Sequence, residues 1–163
     1  MSDPAESSPS PPGGDAETGR FLADVMLGKL ATYLRMCGYD TVYAGERGIE
    51  ADDRLRDLAR EESRTLLTRD VELATRTEHA LLVESLAVDD QLEELREAGV
   101  RPALEEHPSR CGRCNGRLER VPSDAETPAY APDPDDVDCW RCRACGQYFW
   151  KGSHWDRVSE TLG

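Results

Sequence analysis

Residues 20–43 read RFLADVMLGKLATYLRMCGYDTVY, and this segment decides the architecture. A short apolar run at 20–24 ends on an acid, Asp24. Leu27, Leu30, Ala31 and Leu34 then recur at three- and four-residue spacing, which predicts a helix over 26–37 stopped by Gly38. Residues 40–43 (DTVY) follow as a second strand. Strand, helix and strand in immediate succession predict a parallel βαβ unit, because the crossover helix returns the chain to the same edge.

The pattern repeats downstream. A loop, AGERGIEA, leads to Asp52, an N-cap candidate for a helix carrying Leu55, Leu58 and Ala59. Residues 65–67 (TLL) form a buried-strand run closed by Thr68-Arg69-Asp70. A short helix is expected near 71–77, a strand from Ala80 to Val83, and a last helix over about 89–98 that stops at Gly99. Strands alternating with helices predict an α/β domain over 20–106, a three-layer fold with a parallel sheet covered on both faces. The first 19 residues are rich in Ser, Pro and Gly, and acidic. With no basic or apolar leader pattern, they are expected to be a disordered tail. No stretch of the sequence approaches the ~18 apolar residues that a membrane span needs.

Asp24 closes the first strand and Asp70 the third, so a parallel sheet sends both carboxylates to one edge. Asp52 and Asp53 open the second helix on the same side. Ligands of open α/β sheets bind beyond the carboxyl ends of the strands. Carboxylates gathered there repel one another unless a hard divalent cation sits among them, and Mg²⁺ or Mn²⁺ held in this way supports phosphodiester hydrolysis. Taken singly, each of Asp24, Asp52 and Asp70 also reads as a helix cap.

The last third of the chain has different chemistry. Cys111-Gly-Arg-Cys114 and Cys142-Arg-Ala-Cys145 each carry two thiols at a spacing that bites one metal from a tight turn, and together they fill the four-sulfur shell that Zn²⁺ prefers. A closed structural zinc ribbon over 107–157 is therefore expected, interrupted by an acidic insert at 121–138. Cys139 overlaps the second pair; Gly146 behind Cys145 favours Cys142 and Cys145 as ligands and leaves Cys139 spare. His107 and His154 are weaker ligand candidates, and Cys37 reads as a small buried hydrophobe.

The net charge of −13 argues against a nucleic-acid partner only until its distribution is read. The tail and the insert contain ten acids and no Lys or Arg. The cysteine-bearing segments 107–120 and 139–157 hold eight bases against Glu119 and Asp156, a local charge of +6. An acidic domain thus adjoins a basic metal module. The run Tyr148-Phe149-Trp150-Lys151-Gly152-Ser153-His154-Trp155 interleaves aromatic and basic residues, as single-stranded RNA recognition requires. Phe149 and Trp150 are expected to pack the ribbon, leaving His154 and Trp155 for RNA. Lysine is confined to Lys29 and Lys151 against 18 arginines, an acid-rich, lysine-poor balance suited to a salty cytoplasm.

FLADVMLGKLATYLRMCGYDTVYA, ADDRLRDLAREESRTLLTRD, the paired cysteines and WKGSHW together resemble the Mut-seven C-terminal RNase family over about residues 20–157. The resemblance implies a PIN-like ribonuclease domain followed by a zinc ribbon, and divalent-metal-dependent cleavage of RNA. It implies Asp24, Asp52 and Asp70 as the Mg²⁺- or Mn²⁺-binding catalytic acids, with Asp53 a possible substitute for Asp52. Lys29, Arg35 and Arg69 lie beside these acids in sequence and are candidates for holding the RNA phosphate.

A cytoplasmic ribonuclease with no membrane association is the expectation, with a ribosome or RNA-processing complex as a possible setting. The alternative is a non-catalytic RNA- or ribosome-binding adaptor on the same fold. A phosphoacceptor signalling domain also places acids at strand ends, but it needs a strand-end lysine, and residues 80–106 contain none.

Overall fold

The computed structural model describes residues 19–162; the tail expected over 1–19 falls outside them except for Gly19. Four strands form the first sheet: β1 (Arg20–Ala23), β2 (Asp40–Tyr43), β3 (Thr65–Thr68) and β4 (Ala80–Leu82). Their order is β2–β1–β3–β4 and every pairing is parallel. The chain steps outward from β1 to β2, then passes back over β1 to β3. Strand order therefore reverses between β1 and β3, the switch point at which such sheets bind ligands.

Alternation along each strand feeds two cores. Phe21, Ala23 and Leu67 face one layer, where Leu30 and Leu34 of α1 (Gly28–Met36) meet Leu92 and Leu95 of α4 (Val88–Glu97). Leu22, Val42 and Leu66 face the other, against Leu55 and Ala59 of α2 (Asp52–Glu61) and Leu73 of α3 (Val71–Arg76). Burial of both faces is why these strands read as apolar runs and not as alternating ones. The expected α/β layering is what the chain adopts.

A second, antiparallel sheet of three strands follows: β5 (Leu118–Arg120), β6 (Cys139–Cys142) and β7 (Tyr148–Trp150), with β6 in the centre. It carries the cysteine cluster. The insert between β5 and β6 returns onto β7, where Tyr130 meets Tyr148 edge-on with ring centroids 6.3 Å apart.

The ribbon expected over 107–157 does not run to its end as ribbon, because a helix begins at Ser153. This helix is α5 (Ser153–Leu162). It leaves the ribbon and packs back on α4, burying Val158 in the α/β core, and Arg96 of α4 donates to the Leu162 carbonyl at 2.5 Å. Trp155, Val158 and Leu162 carry its helical apolar spacing.

A carboxylate edge and a four-cysteine cluster as the candidate functional site

At the switch point, Asp24 and Asp70 are tied together through Thr68, the last residue of β3. The Thr68 hydroxyl donates to Asp24 Oδ2 at 2.7 Å and accepts the Asp70 backbone N–H at 3.0 Å. Asp24 Oδ1 accepts the Val25 N–H at 2.7 Å, so Asp24 caps the single 3-10 turn Val25–Leu27. Asp70 caps α3 by accepting the Leu73 N–H at 3.2 Å. The capping role and the strand-edge position thus coincide in both acids. Thr68 is fully buried, Asp24 half-buried and Asp70 exposed.

The second-helix acids sit differently. Asp52 is the first helical residue of α2, with Ala51 in the cap position. Asp53 is exposed and pairs with Arg56 at 3.7 Å and Arg76 at 3.6 Å. It lines a groove of about 630 Å³ between α2 and α3 together with Arg60 and Arg64. Among the described residues, the four cysteines are the one group of three or more His, Cys, Asp or Glu side chains gathered closely enough to hold a metal ion. Asp24, Asp52 and Asp70 do not close into such a group.

The basic candidates divide. Lys29 is exposed on the first turn of α1. Arg69 donates to the Glu84 carbonyl at 3.2 Å, and its Nε is buried without a hydrogen-bond partner. Arg35 corrects the expectation of a phosphate contact. Its side chain is 2% exposed, with Nε on the Thr41 carbonyl at 2.8 Å, Nη1 on the Gly112 carbonyl at 3.1 Å and Nη2 on Glu46 at 2.7 Å. The guanidinium clamps α1, β2 and the first cysteine turn together. Burial among fixed acceptors, and not access to the acids, determines its role.

That clamp belongs to a polar seam that sequence reasoning missed. Asn115, just past Cys114, accepts the Thr41 N–H at 3.0 Å and donates to Asp40 Oδ1 at 2.8 Å. Arg64 donates to the same Oδ1 at 2.8 Å. Burial alone would raise the Asp40 carboxyl, but these hydrogen bonds from Asn115 and Arg64 hold it below its ordinary value. On the acidic edge, the segment after β4 is braced by Glu94, whose carboxylate accepts the N–H groups of Glu84 and Ser85 at 2.8 and 2.9 Å. Met26, Val71 and Leu86, all strongly exposed, stand on the segments following β1, β3 and β4.

The Sγ atoms of Cys111, Cys114, Cys142 and Cys145 lie within 4.8 Å of one another. Each pair sits on a tight turn whose backbone points at sulfur: Arg113 N–H at 3.3 Å from Cys111, and Ala144 and Cys145 N–H at 3.3 and 3.4 Å from Cys142. The turns end in matching left-handed residues, Asn115 (φ 73°) and Gly146 (φ 81°). Gly116 is required by close approach, since a Cβ there would lie 2.8 Å from the Cys142 sulfur. Burial pushes the Cys111 thiol up, whereas backbone N–H groups overcome burial at Cys142 and bring it to about 7. Four converging sulfurs cradled by N–H donors fit a tetrahedral metal such as zinc. Cys139 lies outside the cluster, its Sγ 3.3 Å from the Val137 carbonyl. Neither His107 nor His154 joins it. Burial, followed by Glu105, raises the Cys37 thiol to about 12, as befits a core residue.

These features define a class: a parallel α/β domain with paired carboxylates at its switch point and a cysteine-cluster ribbon clamped to its edge strand. The Mut7-C RNAse domain model matches residues 19–162, and the chain belongs to that family. No curated protein and no solved structure matches the chain. Family membership implies a ribonuclease-type activity with RNA as the substrate class. No helix among the described residues is long and apolar enough to cross a membrane.

Proposed function

We propose that the chain is a divalent-metal-dependent ribonuclease whose chemistry takes place at the carboxyl edge between β1 and β3. The observation that carries this reading is the Asp24–Thr68–Asp70 network at the reversal of strand order. Asp24 and Asp70 would hold Mg²⁺ or Mn²⁺, with Asp52, or Asp53 in its place, as the third acid. A bound ion of this kind supplies Lewis-acid polarisation of a phosphodiester and activation of water. Thr68 fixes the rotamer of Asp24 and the backbone of Asp70, so both carboxylates keep their direction when a phosphate arrives. Arg69, next to Asp70 in sequence, and exposed Lys29 would hold nonbridging oxygens. The ribbon would hold structural zinc on its four thiolates, closed to substrate, and present its basic surface to RNA.

The test is cleavage of single-stranded RNA with added Mn²⁺ or Mg²⁺ by the wild type and by Asp24→Asn, Asp70→Asn and the double variant. A drop of at least a hundredfold, with unchanged circular dichroism, is expected. Cleavage that survives in the double variant would overturn the proposal. Tight RNA binding without cleavage in the wild type would favour the adaptor.

A further inference from the structure

A second site lies on the seam between the ribbon and α1. Trp140, Phe149, Trp150 and Trp155 enclose a pocket of about 310 Å³ against Thr32 and Met36 of α1. Its polar groups are few and basic: Arg110, Arg113 and His154. The Arg110 guanidinium is held in place by the Asn115 carbonyl at 3.2 Å and by Asp40 at 3.7 Å. Lys151 stands 5.3 Å over the Trp155 ring and donates to the Glu106 carbonyl, so one positive charge is fixed beside the mouth. A small, mostly aromatic cavity with basic side chains in its lining matches a flat heteroaromatic group attached to an anion.

We propose that this pocket is a slot for one unstacked base of single-stranded RNA, with the adjoining phosphates on Arg113 and His154. The idea rests on the reading of the chain as an RNA-cleaving protein and adds a substrate preference to it. The volume is at the lower end of small-ligand pockets, so it admits a single ring system and excludes a paired, stacked base. The +6 charge of the cysteine-bearing segments complements the RNA backbone. Asp24, Asp52, Asp53 and Asp70 all lie outside the lining, so the slot positions the strand and does no chemistry.

All three tryptophans of the chain line this pocket, and intrinsic fluorescence therefore reports on it directly. The zinc-loaded full chain is titrated with single-stranded hexa-adenylate, with ribose 5-phosphate and with a blunt RNA duplex, in the absence of added Mg²⁺ or Mn²⁺. Saturable quenching by the hexamer alone is expected, both in the wild type and in the Asp24→Asn/Asp70→Asn double variant. His154→Glu places an acid in the first turn of α5, where the helix dipole tolerates it, so the variant retains its fold. It should weaken half-saturation about tenfold through repulsion of phosphate. Absence of quenching, equal quenching by ribose 5-phosphate or the duplex, or an unchanged response in His154→Glu would overturn the slot. The two proposals fail separately: quenching without metal-dependent cleavage leaves the slot standing, whereas cleavage without quenching removes the slot alone.

Discussion

The two acceptor clusters of this chain differ in how their ligands are held. Around the cysteines, backbone N–H groups point at sulfur from two matching turns, with Cys111 and Cys142 wholly buried, Cys114 half-buried and Cys145 exposed. Around the carboxylates, one buried hydroxyl links two acids, one half-buried and one exposed. The first arrangement brings four sulfurs together in a geometry that a tetrahedral metal fits. The second remains open at the reversal of strand order, where a substrate can enter. In the proposed function, the thiolate set made by local turns serves folding and the carboxylate set made by distant strand ends serves chemistry.

The strongest way to break this comparison is to remove the thiolates. Cys142→Ser, or a strong chelator acting on the zinc-loaded chain, is expected to have the largest effect on stability. Structural zinc contributes on the order of 10 kcal/mol to small metallo-domains. The loss should fall mainly on the ribbon: tryptophan emission should shift strongly, because all three tryptophans line the ribbon's pocket, while most helical circular dichroism persists, since α1 to α4 pack on the parallel sheet. An unchanged emission spectrum would remove the structural role from the cluster.

How much of this was legible in the sequence follows from the range of each interaction. The βαβ alternation, the acids at strand ends and the cysteine turns are patterns of a few residues, and each is found where spacing put it. The seam is not such a pattern. Arg35 sits beside Leu34 on a helix that reads as amphipathic, and its acceptor on Gly112 lies 77 residues away. Nothing local distinguishes it from an arginine facing a phosphate. Asn115 stands in the left-handed turn behind Cys114, but its pairing with Asp40 spans 75 residues. Asp53 shows the same limit: its position at the start of α2 was readable, its partner Arg76 on α3 was not. The helix α5 has a local signal, since Trp155, Val158 and Leu162 recur at helical spacing, but its first turn overlaps the aromatic and basic run that reads as an RNA surface.

The seam offers a sharper test, of intermediate size. Arg35→Met leaves the Thr41 and Gly112 carbonyls without their donor in a buried setting, at an expected loss of about 3 kcal/mol, read by urea denaturation. The Asp40 contribution adds a pH signature. Its folded value lies below the ordinary 3.8, so its stabilisation is fully present above that value and fades as pH falls through the lower folded one. Asp40→Asn should flatten the stability-versus-pH curve in that acid range alone. A curve still steep there would assign the acid sensitivity to other carboxylates.

The smallest effect separates the two duties of Asp70. As a cap it needs only an oxygen acceptor for the Leu73 N–H, and asparagine supplies one nearly as well as aspartate. As a metal ligand it needs charge. Asp70→Asn is therefore expected to change stability by no more than about 0.5 kcal/mol, while Asp70→Ala, which removes the acceptor, costs about 1 kcal/mol. In RNA cleavage the order disappears, with both variants equally inactive. If Asn instead lost as much stability as Ala, the charge of Asp70 at the start of α3, and not its acceptor oxygen, would carry the cap. If Asn retained cleavage, Asp70 would be a cap and no more, and the open cluster would lose the acid that faces solvent.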